Sequence, residues 1–242
     1  MEAVPLEFEV SGLTLRGNLY YAQVPKNLAV LFLHGWTGLP NENAAKFLAI
    51  NHYTTMTFSL SGHNNSDGRI EDQTRQKSFN EVLAAYDLFT SKLPKDTKII
   101  AMGNSYGCYL SALLSSERPL GGISLRVPAN YTDEKFDEPQ LGQGGDDPRI
   151  INWREQPLEP SENRALKNLS DFDGPVQIIE AEFDERVPHQ TVQNYIDAIQ
   201  DKSRLDYHFM KGWTHSLGPD KPRNEEFQQI VLKWLEQQPK IA

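Results

Sequence analysis

The stretch Ile99-Ile100-Ala101-Met102-Gly103-Asn104-Ser105-Tyr106-Gly107-Cys108-Tyr109-Leu110 decides how this chain is read. Its first four residues form an apolar run suited to a strand buried on both faces. Its last residues open a segment of helical spacing that continues to Ser116. Between the two stands Gly-x-Ser-x-Gly, whose glycines allow a sharp strand-to-helix turn that leaves the serine Oγ exposed above a sheet. At average glycine and serine usage, a chain of this length shows the pattern by chance roughly 0.08 times. The plainer alternative is a glycine-rich turn in which Ser105 only caps the helix.

Working outward, short apolar runs recur at Leu28–Leu33, Thr54–Phe58, Lys98–Met102, Gly122–Val127, Val176–Ala181 and Leu205–Met210. Segments of helical spacing lie among them at Asn43–Ile50, Phe79–Leu93, Ser105–Ser116, Val192–Ile199 and Phe227–Leu235. The start of the chain alternates apolar and polar residues on either side of Ser11-Gly12, which predicts an opening hairpin. Strands alternating with helices predict an α/β fold, a mostly parallel central sheet with helices on both faces. Sites in such sheets form at the carboxyl ends of the strands. A length of 242 residues suits one large domain spanning 1–242. Residues 128–160, rich in Pro, Gly, Asp and Gln, carry too few apolar side chains for a core of their own and read as a small polar excursion.

Composition narrows the partners. With 33 acidic residues against 24 basic ones, the net charge of −9 repels polyanions, so neither nucleic acid nor an anionic membrane is expected. No run approaches the ~20 apolar residues of a bilayer span. The acidic N-terminus has no basic n-region followed by an apolar run. The single cysteine, Cys108, has no internal partner, and no Cys/His spacing suits zinc. A cytoplasmic chain without metal or cofactor is expected.

A serine hydroxyl is a weak nucleophile unless a base lies within hydrogen-bond reach and a third group orients that base. After this type of turn the partners follow in the order serine, acid, histidine. His189 sits where a helix begins and His208 inside a strand run, whereas His215 occupies the loop between the last strand and the last helix. His215 is therefore the candidate base. Asp184, in the loop leaving the penultimate strand, is the candidate acid, with Glu180, Glu182 and Glu185 as competing carboxylates. Acyl transfer also needs amide donors aimed at the oxyanion. The backbone N–H of Tyr106, next after the serine, and that of Trp36, in the loop Leu33-His34-Gly35-Trp36-Thr37-Gly38, are the candidates. The side chains of His34 and Trp36 are expected to brace that loop.

These four segments together resemble the α/β-hydrolase superfamily, in its small-cap serine esterase and dienelactone-hydrolase-like branches. His34-Gly35 looks like the family's oxyanion loop, Gly103 to Gly107 its nucleophile elbow, Glu182-x-Asp184-x-x-Val187-Pro188 its acid loop and Gly212-x-x-His215 its histidine loop. The resemblance implies a cofactor-independent hydrolase of small soluble esters or thioesters, with residues 128–160 in the place of the family's cap. Self-association into a homo-oligomer is left open. Two alternatives stand beside it: an acyl-peptide-type peptidase, and a catalytically silent ligand-binding or scaffold protein. The segment Phe58 to Ser66 departs from the family's D-x-R-G-x-G-x-S, with Ser59, Ser61 and Asn64 at its Asp, Arg and second Gly. The few large apolar residues of the excursion, Tyr131, Phe136 and Trp153, are expected to line a small pocket with Trp36 and Tyr106, favouring soluble, short to medium acyl or aryl esters.

Overall fold

The computed structural model describes residues 2–140 and 148–238. Eight strands form one sheet in the order β1-β2-β4-β3-β5-β6-β7-β8. The antiparallel hairpin of β1 (Val4–Val10) and β2 (Leu13–Tyr20) joins its edge, and β2 pairs antiparallel with β4 (Thr54–Phe58). The rest is parallel: β3 (Leu28–Leu33) lies between β4 and β5 (Lys98–Asn104), followed by β6 (Gly122–Arg126), β7 (Val176–Phe183) and β8 (Leu205–Thr214).

Alternation along the central strands divides the core in two. Ala29, Leu31, Leu33, Ile99 and Ala101 face one apolar cluster, Leu28, Val30, Phe32, Ile100 and Met102 the other. The first cluster is covered by α2 (Arg75–Ser91), α3 (Tyr106–Leu114), α5 (Arg164–Asp171) and α6 (His189–Ala198). The second is covered by α1 (Glu42–Ile50) and α7 (Lys221–Gln237). Helix starts are held by short polar side chains: Asn41, Thr74, Asn163 and Asp220 each accept a hydrogen bond from an amide in the first turn. Run β4 is not purely apolar; Thr55 and Thr57 bury their hydroxyls by donating to Ala45 O and Glu42 Oε1 of α1.

The sequence predicts these elements to within a few residues and misses two helices. Helix α4 (Pro148–Arg154) lies inside the excursion, and α5 follows it with only Ala165, Leu166 and Leu169 buried. The excursion is partly docked: Gln76 N donates to Phe136 O and Gln140 N to Gln73 O, both at the N-terminal end of α2. Its Gly142-Gln143-Gly144-Gly145-Asp146-Asp147 stretch lies outside the described residues. Val127, expected to close a strand, instead follows β6 with a left-handed φ of 46°.

Helix α3, Tyr-Gly-Cys-Tyr-Leu-Ser-Ala-Leu-Leu, is apolar nearly all round and buried at all nine positions. It starts hard against the sheet. A Cβ on Gly107 would stand 2.0 Å from Leu33 O, and one on Gly103 would stand 2.4 Å from the Gly107 carbonyl carbon. Both contacts are with backbone, which cannot swing aside. Gly107→Ala is therefore expected to destabilise the protein by about 3 kcal/mol or more, at the upper end of overpacking costs. Urea unfolding followed by tryptophan fluorescence measures this, and a wild-type midpoint in the variant would contradict the packing.

Candidate active site

Loops leave the carboxyl ends of β3, β5, β7 and β8, where sites form in a sheet of this kind; contacts join the β3 loop to Ser105 and the β7 loop to the β8 loop. Ser105 links β5 to α3 with φ 51° and ψ −111°, a conformation an L-residue adopts only under strain. Its side chain makes no capping hydrogen bond, so the role of a simple helix cap is excluded. Tyr106 is the first residue of α3, and its N–H belongs to the helix-terminal amides that have no partner within the helix.

Gly35 brings the β3 loop beside the serine: a Cβ there would lie 3.3 Å from Ser105 Cβ and 4.0 Å from its Oγ. The loop closes as a four-residue turn with Gly38 N donating to Gly35 O at 2.9 Å and Thr37 at φ 57°. That bond leaves the Trp36 N–H unused by the turn. His34 is fully buried; its Nδ1 faces Gly35 O at 2.8 Å and its Nε2 accepts from Leu60 N at 3.0 Å. With one nitrogen donating and the other accepting, the ring is neutral. Desolvation, reinforced by His63, pushes its pKa down from 6.5 to about 4. His63 is lowered too, chiefly by burial, and its Nε2 faces Thr37 N at a long 3.4 Å. The Trp36 ring stands edge-on to both His63 and Tyr106. Both side chains thus brace the loop, as expected.

What each carboxylate already holds separates the candidates. Asp184 Oδ1 accepts from the amides of Arg186 and Val187, and both its oxygens lie 2.8–2.9 Å from His215 Nδ1. Its competitors are engaged elsewhere: Glu182 accepts from Gly212 N, Glu185 pairs with the adjacent Arg186 at 3.6 Å, and buried Glu180 accepts from Tyr207 OH and pairs with His189 Nδ1 at 2.6 Å. His208 pairs with Asp206 on β8. A proton on His215 Nδ1, facing the carboxylate, leaves Nε2 as the acceptor.

Several functional neighbours gave no clear sequence signal. Arg126, at the end of β6, donates from Nε to Asn104 Oδ1 at 2.8 Å and from Nη1 to His215 O at 2.9 Å. A charged residue closing an apolar run, Gly122-Ile-Ser-Leu-Arg126, was the available clue. The departures in the Phe58 to Ser66 segment also acquire reasons. Asn64, at the family's glycine, takes φ 48°, which asparagine tolerates better than most residues. Ser61 donates from both N and Oγ to the buried Glu81 carboxylate, whose pKa burial raises against these bonds. Glu81 borders a cavity of about 330 Å³ that Ser105, Asp184 and His215 do not line. Of the expected pocket aromatics, Tyr131 packs edge-on against Tyr106, while Phe136 lies under the Arg164 guanidinium.

Comparison with known proteins now bears on this arrangement. Residues 29–121 match a family model described as the alpha/beta hydrolase fold. The chain has the α/β-hydrolase fold. Solved structures extend the likeness over its whole length. A Pyrococcus furiosus esterase superposes with a TM-score of 0.73 at 18% identity, covering 98% of this chain and 91% of that one. Est1E from Butyrivibrio proteoclasticus, solved with ferulic acid bound, gives 0.72 at 18% identity, covering 96% and 98%. The acylaminoacyl peptidase of Pyrococcus horikoshii gives 0.73 at 16% identity, and this chain spans only 42% of it. No curated protein sequence matches. Identities this low carry the fold and not the reaction. Among the described residues, no helix of this chain is long and apolar enough to cross a membrane.

The buried His34 ring has a measurable consequence. Its folded pKa of about 4 lies below the unfolded value near 6.5, so the unfolded chain binds a proton that the folded chain refuses. Its contribution is complete above pH 6.5 and is lost as pH falls toward 4, at about 1.4 kcal/mol per pH unit. Urea midpoints taken between those pH values should fall accordingly, and His34→Gln should flatten the slope by about one proton. An unchanged slope in His34→Gln would place the proton uptake elsewhere.

Proposed function

We propose that this chain is a serine hydrolase that cleaves small soluble carboxylic esters or thioesters through an acyl-enzyme. The observation that carries the proposal is the Asp184–His215 pair at the ends of β7 and β8, combined with a strained, uncapped Ser105 at the end of β5. His215 Nε2 takes the Ser105 proton while Oγ attacks the substrate carbonyl carbon. The resulting oxyanion lies against the amides of Tyr106 and Trp36, the first of them at the positive end of α3. Collapse breaks the bond to the leaving alkoxide or thiolate, which receives the proton from His215. Water then repeats the attack on the acyl-serine, giving up its proton to His215, and the carboxylic acid leaves as Ser105 regains its own. Asp184 stays ionised throughout and stabilises the imidazolium. No hydrogen bond between Ser105 and His215 is needed beforehand, since such bonds tighten when substrate binds.

The aromatic group supports short acyl chains. Tyr106, next to the serine, meets Trp36 and Tyr131 edge-on and stacks on Tyr109, so bulky rings crowd that side of the turn. The likeness to an acylaminoacyl peptidase keeps amide cleavage in the test, because the same groups can attack an amide.

A fluorophosphonate should modify the protein stoichiometrically at Ser105, and Ser105→Ala should abolish labelling and lower kcat by ~10⁴–10⁶. Rates on p-nitrophenyl esters should peak at short chains, exceed those on matched anilides and show no jump at an emulsion surface. An adduct on another serine, or no adduct, removes the proposal; faster anilide cleavage moves it to the peptidase.

A further inference from the structure

Arg126 is buried, and among the described residues no carboxylate forms an ion pair with it. A guanidinium in that position is costly unless its donors are used. Burial lowers its pKa to about 10, against the opposing pull of Cys108 and Asp184, and so leaves it charged at neutral pH. Its bonds converge on one region. The backbone carbonyl of Arg126 accepts from Ser105 N at 3.0 Å and from Cys108 Sγ at 3.2 Å. The Nε donates to Asn104, the residue before the serine, and Nη1 donates to the carbonyl of His215 itself. One residue therefore touches both the elbow and the histidine loop, which are 110 positions apart in sequence. The next residue, Val127, holds a left-handed φ of 46° while its N–H donates to Ile179 O at 2.8 Å. A β-branched residue adopts that conformation only where its surroundings enforce it, so the backbone that aims Arg126 is itself rigidly held.

We propose that Arg126 is a positioning residue that sets the separation of Ser105 and His215 by clamping the His215 carbonyl to the nucleophile elbow. Asp184 orients the imidazole ring from one side, but a ring hydrogen bond does not fix where the loop's backbone stands. Arg126 fixes the backbone, and the two restraints together locate Nε2. Displacement of a catalytic group by about 1 Å can cost ~10²-fold in rate. The catalytic consequence rests on the proposed hydrolase; the mechanical one does not.

The test separates the two. In Arg126→Met, amide hydrogen exchange in residues 213–218 should accelerate at least about tenfold while the sheet amides keep their protection. The rate of fluorophosphonate labelling and kcat on a short p-nitrophenyl ester should fall ~10²-fold, with KM changed less than about twofold. Arg126→Lys, which keeps one charged donor, should recover part of the loss. If Arg126→Met fails to fold, Asn104→Ala removes the acceptor that orients Nε and should show the same local exchange with a kcat loss of about tenfold. Wild-type exchange in residues 213–218 of the folded variant overturns the clamp, as does a loss confined to KM. If the wild-type protein takes no fluorophosphonate, the hydrolase reading fails, and the exchange measurement still decides the clamp.

Discussion

The contact on which everything else depends is the approach of α3 to the sheet at Gly103 and Gly107. Main chain meets main chain there, with Gly107 so close to Leu33 that any side chain would overlap its carbonyl. The turn between strand and helix has no room to relax, and Ser105 absorbs the strain in its backbone. Strain of this kind costs on the order of 1–3 kcal/mol. It is offset by the burial of a whole helix, since each large apolar side chain of α3 taken from water contributes roughly 1.5–3 kcal/mol. Ser105 stays half-buried at the top of the sheet while Gly103 before it and Tyr106 and Gly107 after it are buried.

Charge is distributed around this point in an unusual way for an acidic protein. The net charge is −9, yet three arginines are buried near the ends of the strands and spend donors on backbone carbonyls. Arg75 holds Thr132 O and Glu134 O, Arg154 holds Asn130 O and Arg186 O, and Arg126 holds His215 O. Each ties down an irregular segment whose carbonyls have no sheet partner. A guanidinium suits this work because its planar donors point in several fixed directions at once.

The loop after β3 is braced by neutral imidazole rather than by charge. His34 and His63 lie 5.0 Å apart, and two protonated rings at that distance would repel each other. Each uses one nitrogen as acceptor toward a backbone amide, His34 toward Leu60 and His63 toward Thr37. The segment from Ser59 to Asn64 is thereby joined to the loop after β3.

Local patterning was enough to recover the strands, most helices, the glycine-flanked turn at Ser105 and the loops that carry the acidic cluster and His215, because each leaves a mark within a few neighbouring residues. An apolar run, two glycines around a serine, or a histidine beyond the last strand is written along the chain. Helices α4 and α5 were not recovered, because they lie in and just after a polar excursion and α5 buries only Ala165, Leu166 and Leu169. The choice among Glu180, Glu182 and Asp184 was also beyond local pattern. All three lie within five residues, and they differ only in which distant group each meets: Tyr207 and His189, Gly212, or His215. Arg126 is the clearest case. Its partners, Asn104 at the end of β5 and His215 in the loop after β8, are distant in sequence, so nothing in its own segment announces them. Sequence determined which chemical groups the chain owns and the type of element that carries each, because those depend on short-range sterics and apolar periodicity. Only the tertiary structure decided which carboxylate faces the histidine and what holds that histidine's loop in place, because hydrogen bonds of a few ångströms between distant residues exist only after the sheet has brought them together.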